Sequence, residues 1–323
     1  MKKILALLLA VAMLACLFIG CDGTSADVPT VGILQLQKHD ALDAAYEGFV
    51  AGLKDAGYSE ADGTVKFNYI VTTGKSEECQ TAADQLVSGG SDLILAIATP
   101  AAQAVVNKTK SIPVLVTAVT NPEGDCPADN MSGTSDLGPI ERQVQFTKEL
   151  NPDMKTLGIL YTSSEANSVF QAGLAKAAAE KLGIAYKEYT VTAATELQST
   201  VEGMKGQVEV CWIPTDNTCA SNMPIINDAA KAAGVMTVCG ESGMVQSGGL
   251  ATIGAVDYYK LGEQTAAMAV KILKGEATVA DMPIEFQEAG EDAAVVINTD
   301  VAANYTVPQD ILDKATKVTT PTK

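Results

Sequence analysis

The sequence has little of what catalysis or metal binding needs. Among 323 residues there is one histidine, His39, and its neighbours Lys38 and Asp40 bring no second cluster of metal ligands. No GxSxG, HExxH or P-loop motif occurs. The cysteines after residue 27 are odd in number and form no CxxC pair, so they indicate neither a zinc site nor a disulfide framework. The sequence therefore predicts a protein that is not an enzyme and uses no cofactor and no metal.

Basic and aromatic residues are also scarce. Lys and Arg number 22 against 39 Asp and Glu, which gives a formal charge of −17. An acidic surface repels nucleic acid, so the composition argues against a nucleic-acid partner. Aromatic residues make up 5% of the chain, and the one tryptophan, Trp212, lies in a predicted core strand. Since sugar receptors usually stack their ligand on aromatic rings, this scarcity weakens a sugar-binding role.

The N-terminus has the pattern of an export signal. Lys2 and Lys3 precede an uninterrupted apolar run of 16 residues from Ile4 to Ile19. A helix needs roughly 20 residues to cross a bilayer, so the shorter run predicts a signal segment and not a membrane span.

The end of this signal resembles the processing site of bacterial lipoproteins, in which a cysteine receives the lipid and becomes the first residue. Gly20 stands before Cys21, and a polar stretch follows. We expect a signal peptide over 1–20, a lipid anchor on Cys21 that holds the protein at the membrane, and a tether over 21–27. Cys16 is a second candidate for lipidation, and an ordinary secretory signal is the alternative.

The rest of the chain repeats one theme, a short apolar run followed by an amphipathic helix pattern. Each predicted strand is nearly continuous in apolar residues, which indicates a parallel sheet covered on both faces. The predicted strands of the first half span 28–37, 65–72, 93–98 and 112–120, and its predicted helices span 41–56, 77–88 and 100–107.

The same pattern restarts in the second half, so we expect two doubly wound parallel-sheet α/β lobes. In such sheets ligands bind beyond the carboxyl ends of the strands. The predicted strands of the second half span 156–161, 185–191, 208–213 and 235–239, and its predicted helices span 141–150, 166–182, 196–204 and 223–233.

Long blocks of the sequence resemble a known family. They are VGILQLQKHDALDAAYEGFVAGL (31–53), IATPAAQA (97–104), GILYTSSEANS (158–168), WIPTDN (212–217), GESGMVQSGGLATIGAVDYYKLG (240–262) and ILKGE (272–276). On these blocks the chain is similar, over residues 28–311, to the substrate-binding proteins of ABC importers of the tryptophan/tyrosine type.

This resemblance implies the periplasmic-binding-protein type I fold, in which the chain crosses between two lobes three times through a hinge. Small and polar residues interrupt the apolar runs at three places, and the crossings are expected there, near Met131-Ser132, Ser247–Gly249 and Thr278–Asp281. A helix predicted over 260–274 then returns to lobe 1. The expected lobe 1 comprises 28–131 plus 250–279, and the expected lobe 2 comprises 132–249 plus 280–323.

Polar residues follow the predicted strands of lobe 1. Thr99, Pro100 and Ala101 open the helix after the strand at 93–98, and proline suits a first helical turn whose free N–H groups can bind a carboxylate. Thr99 is also suited to cap that helix. The further candidate ligand-binding residues in this lobe are Gln37, Asp40, Thr120 and Asn121.

In lobe 2, acidic and hydroxyl-bearing residues likewise follow the predicted strands. Asp216 lies just past an apolar strand and Glu241 repeats the arrangement one strand later, so either acid is a candidate partner for a ligand ammonium group. Asp216 is alternatively a helix cap, and the sequence leaves open whether Asp257 binds ligand or caps a helix. The other candidates are Tyr161, Ser163, Ser164, Asn217 and Ser242, with Ser163 or Ser164 also suited to cap the helix after them.

The predicted activity is binding by hinge closure. The resemblance implies an amino acid as the ligand, aromatic or large and apolar, and ABC permease subunits as the partner of an exported monomer. The alternative is a sensor or receptor lipoprotein of the same fold that binds a sugar or a nucleoside. A transcription regulator does not fit, because an export signal opens the chain and no basic helix-turn-helix precedes the first strand.

Overall fold

The computed structural model describes residues 28–287 and 294–321. The predicted signal peptide (1–20), the lipidation candidates Cys16 and Cys21, and the tether (21–27) lie outside the described residues, so the structure does not test them.

The first half of the chain alternates strands and helices as predicted, with ends that differ by a few residues. Helix α1 forms because apolar residues recur at helical spacing and bury one face. In order, the elements are β1 (Thr30–Gln35), α1 (Asp40–Asp55), β2 (Lys66–Val71), α2 (Ser76–Ser88), β3 (Leu93–Ile97), α3 (Thr99–Lys108), β4 (Val114–Val119), α4 (Pro122–Asp125) and β5 (Met131–Ser135).

The second half repeats the alternation. A 3-10 turn at Ala194–Glu196 precedes α7, where the sequence predicted one continuous helix. The elements are α5 (Ile140–Leu150), β6 (Thr156–Thr162), α6 (Ala166–Lys181), β7 (Ala185–Val191), α7 (Leu197–Glu202), β8 (Val210–Ile213), α8 (Asn217–Ser221), α9 (Met223–Ala233), β9 (Met236–Cys239), α10 (Ser242–Gln246) and β10 (Ala251–Ile253).

The C-terminal part returns to both sheets. Its elements are α11 (Tyr258–Leu273), a 3-10 turn (Val279–Asp281), β11 (Glu285–Phe286), β12 (Val295–Asn298), α12 (Thr299–Ala302), α13 (Gln309–Lys314) and β13 (Thr316–Val318).

Two sheets result, and each has its own hydrophobic core. The sheet of lobe 1 is parallel throughout, in the order β11-β5-β4-β3-β1-β2. The sheet of lobe 2 has the order β13-β12-β10-β9-β8-β6-β7, in which only the β10–β12 pair is antiparallel. Every residue of the central strands β3, β4, β8 and β9 is buried, as strands covered on both faces require.

The strand pairings put the three crossings later in the chain than the sequence predicted. Because β5 pairs with β4, the first crossing follows Ser135, and because β10 pairs with β9, the second follows Ile253. The third lies between β11 and β12. The first crossing lies later than predicted because the small polar residues of β5 are part of the sheet, where Thr134 Oγ1 donates to Thr117 Oγ1 at 3.0 Å and lies 2.8 Å from Thr265 Oγ1.

Helix α11 packs closely on α1, as expected for a helix that returns to lobe 1. Two glycines allow this close approach. A Cβ atom on Gly48 would lie 1.9 Å from the carbonyl oxygen of Tyr259, and one on Gly262 would lie 2.1 Å from that of Ala45. The packing fixes α11, and with it the end of the second crossing, against lobe 1.

Candidate functional site

An enclosed space, here called the interlobe cavity, lies where the carboxyl ends of the two sheets face each other. Both lobes and the first crossing contribute to its walls. About 20 Å³ of it is wide enough for water, so a larger ligand enters only when the lobes part or the walls rearrange. It is lined by His39, Ala41, Leu42, Ala118, Asp136, Asn167, Thr215, Asp216, Asn217, Ala220, Glu241 and Tyr258.

A second space, here called the hinge-side cavity, has a volume of about 320 Å³ and lies beside the second crossing. Asp40, Ser242 and Asp257 line this cavity and not the interlobe cavity, whereas Glu241 lines both. Of the predicted site residues, Asp216, Asn217 and Glu241 therefore line the interlobe cavity directly.

Hydrogen bonds join the two lobes across the cleft. Gln37 Nε2 donates to the carbonyl oxygen of Asn217 at 2.8 Å, and His39 Nε2 lies 3.2 Å from Asn217 Oδ1. Ser247 Oγ donates to Asp40 Oδ2 at 3.2 Å. The lobes are thus closed on each other, and Gln37 and Asp40 serve as contacts between them.

Thr120 belongs to a buried chain of hydrogen bonds that links the lobes to the first crossing. Gln171 Nε2 in lobe 2 donates to Thr120 Oγ1 at 3.1 Å, and Thr120 Oγ1 donates to Asp136 Oδ1 at 2.8 Å. The hydroxyl of Tyr258 donates to Asp136 Oδ2 at 2.7 Å. Burial raises the pKa of Asp136. This chain occupies the polar atoms of Thr120 in the closed arrangement.

Asp216 is a helix cap, one of its two predicted roles. Its Oδ1 accepts from the backbone N–H of Cys219 at 2.8 Å and from Thr162 Oγ1 at 2.9 Å. Its Oδ2 accepts from the backbone N–H of Thr162 at 2.6 Å. Since three protein donors already contact this carboxylate, which is only 1% exposed, the cap accounts for its position without a ligand.

Glu165 lies beside Asp216, with its carboxylate buried in lobe 2. Its carboxylate accepts four hydrogen bonds from the backbone and side chains of Asn217 and Thr218, at 2.7 to 3.0 Å. Burial raises the pKa of Glu165, and the neighbouring Asp216 raises it further. Two carboxyl groups therefore share one buried corner.

Glu241 has fewer protein partners than either of these acids. Its carboxylate accepts from the backbone N–H groups of Gly243 at 2.6 Å and Met244 at 2.8 Å, and the residue is 3% exposed. Burial raises the pKa of Glu241 to about 7, and the charges of Asp40 and Asp136 act in the same direction. This is therefore the place in lobe 2 where a positively charged ligand group would gain most.

Among the described residues, none of the ion pairs involves these cavity acids. His39 is the only basic side chain among the residues that line the interlobe cavity. Burial lowers the pKa of His39, which favours its neutral form. The cavity thus holds carboxyl groups without a matching cation.

Lobe 1 presents the opposite chemistry at the start of α3. Ala98 has a φ of 83° and Ala118 a φ of 55°, values that favour glycine, so the backbone is strained at the ends of β3 and β4. Thr99 is the first residue of α3 and not its cap, it lines neither cavity, and its buried Oγ1 has no hydrogen-bond partner among the described residues. Because the first N–H groups of a helix also lack helical partners, this end suits a carboxylate.

Three of the predicted residues in lobe 2 lie away from both cavities. The hydroxyl of Tyr161 donates to Glu188 Oε2 at 2.8 Å on the outer strand β7. Ser163 and Ser164 are exposed, and neither caps α6, because that helix begins after Glu165. Strand β6 runs one residue further than predicted, to Thr162, so the two serines fall in the turn beyond it.

Asp257 caps a helix, which is one of the two roles that the sequence left open. Its Oδ1 accepts from the backbone N–H of Lys260 at 3.2 Å at the start of α11.

Pro100 and Ala101 lie in the first turn of α3, and Asn121 is half-buried just before α4. None of these three lines either cavity.

Sequence reasoning missed several residues of the cavity walls and of the lobe contacts. Asp136 and Tyr258 stand at the crossings, which were placed too early in the chain. Asn167 and Gln171 lie inside α6, where a polar residue usually faces solvent, yet both are buried here. The one signal for Asn167 in the sequence was the short span between β6 and α6, because a short connection places the first turn of α6 at the cleft.

Two classes of feature are absent within residues 28–287 and 294–321. No group of three or more His, Cys, Asp or Glu residues is placed to hold a metal ion, and no helix combines the length and apolar character needed to cross a membrane. The cysteines of these residues are buried free thiols at positions 79, 126, 211, 219 and 239.

The chain forms two α/β lobes with a cleft between the carboxyl ends of their sheets, and three crossings lie behind the cleft. This arrangement defines the periplasmic-binding-protein type I fold. The sequence match is more specific. Residues 30–319 match the family of ABC transporter substrate binding proteins, and the chain belongs to that family.

Named relatives support this assignment. The chain is 34% identical to a tyrosine-binding protein of Clostridioides difficile over 93% of this chain and 91% of the relative. It is 36% identical to a Streptococcus pneumoniae ABC domain in complex with L-Trp, with a TM-score of 0.83 over 90% of this chain and 99% of that chain. A ligand-free, open substrate-binding protein from Clostridium difficile has 34% identity and a TM-score of 0.68 over 91% and 100% of the two chains.

The two TM-scores bear on the arrangement of the lobes. Identity and coverage are nearly equal for the two solved structures, but the similarity is greater to the tryptophan complex than to the open, ligand-free protein. This agrees with the hydrogen bonds across the cleft. The arrangement described here is thus closer to that of the complex.

The raised pKa of Glu241 predicts how stability depends on pH without ligand. The folded protein keeps this proton up to a pKa of about 7, whereas an unfolded chain releases it near 4.5. The associated stability is therefore present below pH 4.5 and is lost as the pH rises through 7. We expect the free energy of unfolding in urea to decrease between pH 5 and pH 8 by about 2.5 kcal/mol less in Glu241→Gln than in the wild type.

Glu276→Gln is the matched control, because Glu276 is exposed on the surface. It should follow the wild-type pH dependence. Equal slopes for Glu241→Gln and the wild type would show that Glu241 is not protonated in the closed, ligand-free protein.

Proposed function

We propose that this substrate-binding protein is the receptor of an ABC importer for an amino acid, which it binds in the interlobe cavity by closing its lobes. The observation that carries the proposal is Glu241, a carboxyl group buried at the cavity wall with two backbone donors and no cation. A ligand ammonium group would supply the missing charge.

The start of α3 would bind the other end of such a ligand. Thr99 Oγ1 is buried without a partner, and the first N–H groups of α3 are free of helical partners. A carboxylate bound there gains hydrogen bonds and the favourable end of the helix dipole. An amino acid carries both groups on one carbon atom, so it can contact donors in lobe 1 and an acid in lobe 2 simultaneously.

The side chain of the ligand is proposed to be aromatic or large and apolar. Relatives that share about a third of the sequence are named for tyrosine or were crystallised with L-Trp. Small residues on the cavity wall, Ala41, Ala118 and Ala220, leave room for such a group once the lobes part. A sugar or nucleoside receptor is the second candidate, but among the lining residues only His39 and Tyr258 carry rings on which a ligand could stack.

Closure is proposed to be the transport signal. A ligand that contacts both lobes shifts the equilibrium toward the closed form by the difference between its affinities for the closed and open forms. A monomer that closes in this way presents one surface to the permease when loaded and another when empty.

A ligand screen tests the receptor role. We expect one or a few amino acids to raise the melting temperature of the chain from residue 28 onward, because they bind only the folded state. Glu241→Gln keeps the shape of the side chain but removes its charge, so it should weaken that binding by about tenfold or more at pH 8, whereas Glu276→Gln should not. A response to sugars or nucleosides alone would contradict the amino-acid proposal.

Lipid anchoring on Cys21 is proposed from the sequence pattern at Gly20-Cys21. We expect Cys21→Ser to abolish incorporation of labelled fatty acid into the full-length protein and to release it from the membrane fraction. Cys16→Ser is the matched control and should leave both unchanged. Labelling that survives Cys21→Ser and disappears in Cys16→Ser would move the anchor to Cys16.

A further inference from the structure

Asn167, the second residue of α6, has a buried side-chain oxygen without a hydrogen-bond partner. The residue is 4% exposed and lines the interlobe cavity. Buried polar atoms in folded proteins are nearly always paired. An unpaired acceptor on the wall of a binding cavity therefore points to a donor that arrives with the ligand.

The nitrogen of this amide fixes its orientation. Nδ2 donates to the carbonyl oxygen of Thr215 at 2.9 Å, to Ser168 Oγ at 3.3 Å and to Glu165 Oε2 at 3.5 Å. A backbone carbonyl oxygen only accepts, so turning the amide over would place its oxygen against that of Thr215. Oδ1 therefore stays where it is.

The cavity walls do not supply the missing donor. Within the described residues, no donor lies within hydrogen-bond distance of Asn167 Oδ1, and the hydroxyl of Tyr258 on the same cavity wall is already donated to Asp136. The ring nitrogen of His39 that faces lobe 2 lies against Asn217 Oδ1.

We propose that Asn167 Oδ1 accepts a hydrogen bond from the amino group of the bound ligand and so selects ligands that carry an amine. This inference rests on the proposed amino-acid function and adds a neutral acceptor to the charge of Glu241. An ammonium group has three N–H donors, so it can contact both residues at once.

The test compares ligands with and without the amine. The pairs are L-tyrosine with 3-(4-hydroxyphenyl)propanoate and L-tryptophan with 3-(indol-3-yl)propanoate, and calorimetry gives the ratio of affinities within each pair. Asn167→Ala and the near-isosteric Asn167→Leu remove the acceptor, so each should lower the preference for the amine by about tenfold. Asn167→Asp keeps an acceptor and should retain the preference.

Asn130 provides a matched control. Its Oδ1 is also buried and unpaired, and its Nδ2 donates to the carbonyl oxygens of Thr109 and Ile112, outside both cavities. Asn130→Ala should leave the affinity ratio within twofold of the wild type.

The outcomes separate this inference from the proposed function. If the wild type prefers the amine and both Asn167→Ala and Asn167→Leu keep that preference, the inference is wrong and the amino-acid function stands. If Asn167→Asp loses the preference as completely as Asn167→Ala, the side chain acts only through its bonds to Thr215 and the inference is wrong. If the wild type binds neither amino acid, the inference and the aromatic ligand proposed here both fail.

Discussion

Strands β1, β3, β4, β6, β8 and β9 end at the cleft and are each followed by a helix, whose first backbone N–H groups need acceptors. The two lobes meet this constraint differently. In lobe 1 no side chain caps α1, α2, α3 or α4. In lobe 2 Asp216 and Glu165 cap α8, and Glu241 caps α10. Lobe 1 is thus rich in free donors at this end of its sheet and lobe 2 in carboxyl groups, and this asymmetry would orient a zwitterion.

Closure brings these two sides together, and it has an electrostatic cost. In the closed arrangement Asp136, Glu165, Asp216 and Glu241 are all buried, and among the described residues no lysine or arginine is paired with any of them. The contacts that oppose this cost are few, chiefly the hydrogen bonds of Gln37, Asp40 and Gln171 across the cleft. A cationic group from the ligand would remove much of the cost, so the same acids can make closure depend on the ligand.

The sequence predicted the architecture well because apolar periodicity reports directly on which faces of strands and helices are buried. Strands β3 and β4, for example, are continuous apolar runs that sit at the centre of a sheet. The first crossing was predicted too early because β5 is built from small polar residues whose hydroxyls bond to one another. In the sequence alone, such a run of residues resembles a loop.

The site was harder to predict for a physical reason. A carboxylate after a strand can cap a helix, bind a ligand or do both, and the number of protein donors around it determines how much of it is left for a ligand. Three donors surround Asp216, whereas two contact Glu241, and this difference depends on how neighbouring loops fold. Ser163 and Ser164 lie in the turn beyond β6, away from both cavities, because β6 extends one residue further than its apolar run suggested.

The central claim is that a ligand ammonium group ionises carboxyl groups that are protonated in the closed cavity. Calorimetric titration of the wild type with its amino acid at pH 7, in two buffers of different ionisation enthalpy, measures the protons exchanged on binding. Because burial raises the pKa of Glu241 to about 7, the account predicts a net release of protons that disappears in Glu241→Gln. Proton uptake, or the same binding enthalpy in both buffers, would contradict it.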